Sequence, residues 1–155
     1  VRLFQLRDFR ARAQAGKGSN MKTIKGTATL LLYRYIYPRK SAPLDVPVYI
    51  VGDIAVHRDV FWHDGETPKL ADDPSRKRWG VSHIPTGSTL SRCLPLDLTR
   101  RNVKKAELEH WAREFQARAP QFFDAVRPLG LGETLEMNDV NKKLARAAMT
   151  IGKGI

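Results

Sequence analysis

One cysteine, Cys93, is all that 155 residues provide. An internal disulfide is therefore impossible, and a zinc site built on several cysteines is excluded. A lone thiol suits a reducing interior such as the cytoplasm. No aliphatic run exceeds three residues, as at Leu30-Leu31-Leu32, far below the ~18 that a membrane span needs. Residues 1–20 lack a continuous apolar core, so no signal peptide is expected. A phosphate-cradling loop is also missing. Gly16-Lys17 has Ala11 where the upstream glycine belongs, and Gly18 follows where Ser or Thr is required. No internal repeat is visible.

Acidic residues are scarce as well. Sixteen Asp and Glu face 27 Lys and Arg, leaving a formal net charge of +11. Such a surplus repels itself and attracts polyanions, which makes nucleic acid or an acidic protein surface the leading partner class. With 42% hydrophobic residues, the chain still has enough apolar surface for one globular domain. Residues 1–20 carry Arg2, Arg7, Arg10, Arg12 and Lys17 against Asp8. They read as a basic, flexible N-terminal extension with a joint at 16–19, ahead of a single domain over 21–155.

Residues 23–37 are β-branched and aromatic and predict a long strand. Pro38, Pro43 and Pro47 predict a loop, followed by strands at 48–51 and 54–63, the latter broken near Arg58-Asp59. Residues 64–78 read as a polar loop. Residues 79–84 and 88–94 read as two strands joined by the turn Pro85-Thr86-Gly87. Beyond Pro95 the period changes. Asn102 is placed to cap a helix carrying Leu108, Trp111, Ala112, Phe115 and Ala119 on one face. Pro120 ends it and starts a second helix with Phe122, Phe123 and Val126. Val140, Leu144, Ala147 and Ile151 mark a last helix, stopped by Gly152. Strands first and helices after predict an α+β fold: an antiparallel sheet of about five strands, with two or three C-terminal helices packed on one face.

The stretch "AVHRDVFWHDG" at 55–65 looks most like chemistry. His57-Arg58-Asp59 matches the opening of a kinase catalytic loop, but Asp64 stands where Asn is required and no "DFG" follows. On a continuous strand His57 and His63 sit roughly 20 Å apart, too far to share a metal. Only a tight turn at 58–61 would unite them, with Asp64 or His83 as third ligand. Ser82 and His83, as strand neighbours, point to opposite faces and form no nucleophile pair. No metal, no cofactor and no catalytic residue is therefore assigned.

"WGVSHIPTGSTL" at 79–90, with "IAVHR" at 54–58 upstream, resembles small uncharacterised proteins of phages and other mobile elements. In these, a strand ending in a V-H pair precedes a W-x-V-(T/S)-H-x-P-T-G hairpin and a helix. The resemblance spans roughly residues 54–118 and implies genomic context rather than activity, with Trp79, Val81, His83, Pro85 and Gly87 as hairpin architecture.

The basic clusters carry the functional expectation. "YRYIYPRK" places Tyr33, Tyr35 and Tyr37 on one strand face, with Arg39 and Lys40 at its exit. Aromatic faces beside cations let bases stack while phosphates meet the charges. Arg76, Lys77 and Arg78 precede Trp79. Arg100, Arg101, Lys104 and Lys105 crowd the start of the main helix, where the dipole is already positive and an anion is favoured. These residues predict a non-enzymatic nucleic-acid-binding accessory protein. Two alternatives are a modulator that binds an acidic surface of a host protein, and a metal-dependent enzyme built on His57 and His63.

Overall fold

In a computed structural model, the described residues are 21–34, 40–63, 67–70, 78–100 and 103–155. The basic extension at 1–20 lies outside them. Among the described residues six strands come first: β1 (Thr23–Arg34), β2 (Lys40–Val51), β3 (Ile54–Arg58), β4 (Val60–His63), β5 (Thr67–Leu70) and β6 (Trp79–His83). Two short 3-10 turns, Ser91–Cys93 and Leu96–Thr99, lead to three helices: α1 (Lys105–Arg118), α2 (Pro120–Val126) and α3 (Asp139–Lys153). The fold is α+β. The expected sheet of about five strands is instead a four-stranded antiparallel sheet, β1-β2-β3-β6, with a separate ribbon of β4 and β5.

Local chemistry accounts for most departures from the sequence pattern. Pro43 and Pro47 lie within β2 rather than in a loop. The Leu31 N–H, opposite Pro43, donates to the Gly87 carbonyl and so points away from β2. Pro43 and Pro47 share that phase, so their missing N–H groups fall on the side away from β1, where β3 pairs only with residues 49–51. Residues 67–70, read as loop, form β5 against β4. The strand expected at 88–94 shrinks to one bridge, Ser82 to Thr89, before the first 3-10 turn. The break at Asp59 is present, and its N–H donates to the Arg78 carbonyl.

Alternation gives the sheet two apolar faces. Val51, Ile54, Val56 and Val81 pack with Leu108, Trp111, Phe115 and Phe123 of the helices into the main core. Ala28, Leu30, Val46, Val48, Ile50 and Ala55 form a second cluster on the opposite face, joined by Val60 of β4 and by Ile84. The turn after β6 also reaches the free edge of β1. Gly87 has φ +69°, and a Cβ there would lie 2.9 Å from the Leu31 nitrogen and 3.0 Å from the Thr29 oxygen. Only glycine permits both the dihedral and the approach.

The helices are fixed by a few polar ties. Gln116 of α1 accepts from the Asp53 N–H and donates to the Val51 carbonyl, clamping the β2–β3 turn. Lys105 opens α1, and the Lys104 N–H donates to the Glu107 carboxylate at 2.8 Å. The carboxylate thus supplies a capping interaction at that end, while Asn102 lies outside the described residues. Gly152 does not stop α3 but sits within it. A Cβ there would come 2.5 Å from the Cys93 carbonyl oxygen, and the Gly152 carbonyl accepts from Trp111 Nε1 at 2.9 Å. The face of α3 that packs is therefore centred on Ala148 and Gly152, while Val140 and Ala147 are exposed.

Candidate functional site

The register places Lys25 opposite Tyr49, Tyr49 opposite Val56, Val56 opposite Val81, and Arg58 opposite Trp79. Paired residues of an antiparallel ladder share a face. The helix-bearing face of the sheet thus carries two neighbouring cation–aromatic pairs, Lys25 with Tyr49 and Arg58 with Trp79, referred to below as the row. The Tyr49 and Trp79 rings meet edge to face with centroids 6.0 Å apart. The Arg58 guanidinium carbon lies 4.3 Å over the Trp79 ring, and Lys105 Nζ lies 3.6 Å over Tyr49. Lys25 reaches the same tyrosine at 5.9 Å. Each close pair draws on the negative face of the ring, worth ~0.5–1 kcal/mol at an exposed site.

Part of the expected basic set gathers around this row. Arg78 is exposed and donates to the Thr99 carbonyl at 2.9 Å, tying the approach to β6 to the segment before α1. Arg100 pairs with Glu107 at 3.1 Å and also reaches Asp97. Lys105 pairs with Glu109 at 2.9 Å. The crowding of positive charge at the helix start is thus offset by acids already in the first turns. Lys104 is exposed and makes no ion pair among the described residues. Tyr33 is exposed but stands eight residues along β1 from Lys25, roughly 26 Å at 3.3 Å per residue. It does not join the row. Lys40 opens β2 opposite Arg34. Tyr35, Tyr37, Arg39, Arg76, Lys77 and Arg101 lie outside the described residues.

Lys25, Tyr49, Arg58 and Trp79 were missed in the sequence reading. Only the pairing of β2, β3 and β6 makes them neighbours, although alternation within each strand marks their faces. A second group, Lys142, Lys143, Arg146 and Lys153, was also passed over. All four are exposed on α3 with no ion pair among the described residues, and the helix carries a single acid, Asp139.

His57 and His83 do not converge, and the side chain of His63 lies outside the described residues. His57 lies on the face of the second apolar cluster, its Nδ1 2.8 Å from the Arg58 carbonyl and its Nε2 2.8 Å from Ser82 Oγ. A carbonyl only accepts, so Nδ1 carries the proton and Nε2 accepts from the serine hydroxyl. Burial lowers the His57 pKa. His83 points to the opposite face, against Phe123, with Nδ1 2.9 Å from Thr86 Oγ1. Burial, and then the nearby Arg127 charge, push its pKa down to about 4. Asp53 is buried beside it and pairs with Arg127 at 3.0 Å. Burial raises its pKa to about 6 against the pull of that guanidinium. Among the described residues, no three metal-ligating side chains cluster, and no helix is long and apolar enough to cross a membrane. Comparison with known protein families, with characterised proteins and with solved structures finds no match for this chain.

Proposed function

We propose that this chain is a non-enzymatic nucleic-acid-binding accessory protein, in keeping with the phage or mobile-element context that its hairpin suggests. The observation that carries the reading is the row formed by Lys25, Tyr49, Trp79 and Arg58, with Lys105 over Tyr49, and with Lys104 and Arg78 next in the chain to Lys105 and Trp79. Aromatics interleaved with cations on a sheet face allow base stacking and phosphate pairing together. The net charge of +11 and the exposed cations of α3 add the long-range attraction. Binding of a labelled oligonucleotide at several salt concentrations tests the reading. Log affinity is expected to fall with log salt by roughly 0.7–0.9 per phosphate contact. Absence of binding at low salt sinks it.

The second reading, a modulator docking on an acidic protein surface, draws support from α3 and the segment before it. Met137 and Val140 are 73% and 74% exposed beside Lys142 and Lys143, and such apolar groups suit a protein groove better than a phosphate backbone. A partner that still co-purifies after nuclease treatment would favour this reading.

A further inference from the structure

We propose that Arg58, seated on Trp79, is the surface on which this protein receives a nucleobase of a single-stranded nucleic acid. The inference deepens the proposed function and rests on it.

Arg58 and Trp79 form the last residue pair of the β3–β6 ladder, and the Asp59 N–H to Arg78 carbonyl bond at 2.8 Å locks the backbone just beyond them. The guanidinium carbon lies 4.3 Å over the indole, while the Tyr49 ring meets the indole edge to face and fixes its plane. Much of the freedom that an arginine loses on binding is thus restricted beforehand. Arg58 is exposed, and no carboxylate among the described residues pairs with it, although Asp59 is its chain neighbour. The guanidinium is thus unpaired among the described residues, and planar guanidinium groups are used to stack unpaired bases in nucleic-acid recognition.

A role in sheet stability alone would ask less of this position. A lysine stem covers an indole and keeps the charge, but it lacks the planar group on which a base would lie. Arg58→Lys therefore separates base stacking from charge and packing.

The test compares a short oligothymidylate with an abasic phosphodiester oligomer of equal length, both read by fluorescence anisotropy on the full chain. The unmodified protein should prefer the thymidylate by about five- to 150-fold, the equivalent of ~1–3 kcal/mol for one stacked base. Arg58→Lys should abolish most of that preference, lowering affinity for the thymidylate far more than affinity for the abasic oligomer, in a protein that still unfolds cooperatively. Arg58→Gln should lose the preference and also flatten the salt slope by about one contact. Equal binding of the two oligomers, or a preference that survives Arg58→Lys, overturns the stacking role and leaves the nucleic-acid reading standing. Failure to bind either oligomer at low salt removes that reading and this inference with it.

Discussion

The hydroxyl of Ser82 and the Nε2 of His57 meet at 2.8 Å across the β3–β6 ladder, with His57 Nδ1 held by the Arg58 carbonyl. Gly80 makes room for the ring, since a Cβ there would lie 3.2 Å from Cε1. A buried imidazole is costly unless both nitrogens find partners, and here both do. Ser82→Ala removes the donor and leaves Nε2 buried without one. A stability loss of ~1–3 kcal/mol is expected in urea unfolding. A loss within error would mean that the bond contributes nothing.

The same pair has the outline of a nucleophile and its base, but Ser82 is 3% and His57 7% exposed. A substrate carbonyl has no approach to a hydroxyl so covered. A fluorophosphonate probe is expected to leave Ser82 unlabelled in the folded protein. Labelling that disappears in Ser82→Ala would assign it a catalytic role.

Acid should weaken the fold, with opposing contributions that can be separated. His83 is lowered to about 4 in the folded state, so below the ordinary histidine value of 6.5 the unfolded chain takes up the proton first. Stability from this group is full above 6.5 and is lost as pH falls toward 4, by on the order of 3 kcal/mol. His57, also lowered by burial, acts in the same direction. Asp53 acts oppositely. Its raised value of about 6 means that the folded state takes up its proton first, adding stability as pH falls from 6 toward 4. The acid-side slope of stability against pH should therefore flatten in His83→Gln and steepen in Asp53→Asn. Urea unfolding across that range reads both slopes, and parallel curves for all three proteins would refute the assignment.

Gly152→Ala should strain the contact between α3 and the first 3-10 turn, because the new Cβ falls 2.5 Å from the Cys93 oxygen. A cost of ~1–3 kcal/mol is expected for overpacking of this kind. Trp111, whose indole donates to the Gly152 carbonyl, should report the displacement as a shift in emission. An unchanged emission and unfolding midpoint would show that the helix end can move aside freely.

The cations of α3, which have no ion pair among the described residues, should matter to polyanion binding more than the paired Arg100 does. Lys142→Gln with Arg146→Gln should flatten the slope of log affinity against log salt by about 1.4–1.8, the value for two phosphate contacts. Stability should change little, since neither residue is ion-paired among the described residues. Arg100→Gln gives up its Glu107 and Asp97 pairs and should alter the slope by less than one contact. An unaltered slope in the double variant would make α3 a merely solvated face.

The amino-acid pattern by itself determined the class of fold and the interior faces of the first two helices. Period-two alternation in 23–32 and the apolar spacing of Leu108, Trp111, Phe115 and Phe123 are local properties, and local periodicity states which side of an element seeks the core. The chain break at Asp59 and the proline start of α2 were legible for the same reason. Tertiary contacts decided the rest. Pro43 and Pro47 fit a strand because, among the described residues, β3 pairs with that side of β2 only at 49–51. Gly152 stayed helical because α3 presses on the Cys93 carbonyl, and Ser82 found its partner in His57, 25 residues away. The candidate site is of this second kind. Lys25, Tyr49, Arg58 and Trp79 lie on different strands, in two neighbouring cross-strand pairs, and become one cluster only when register sets β1, β2, β3 and β6 side by side. Register depends on long-range pairing of whole faces, which no short stretch of sequence encodes.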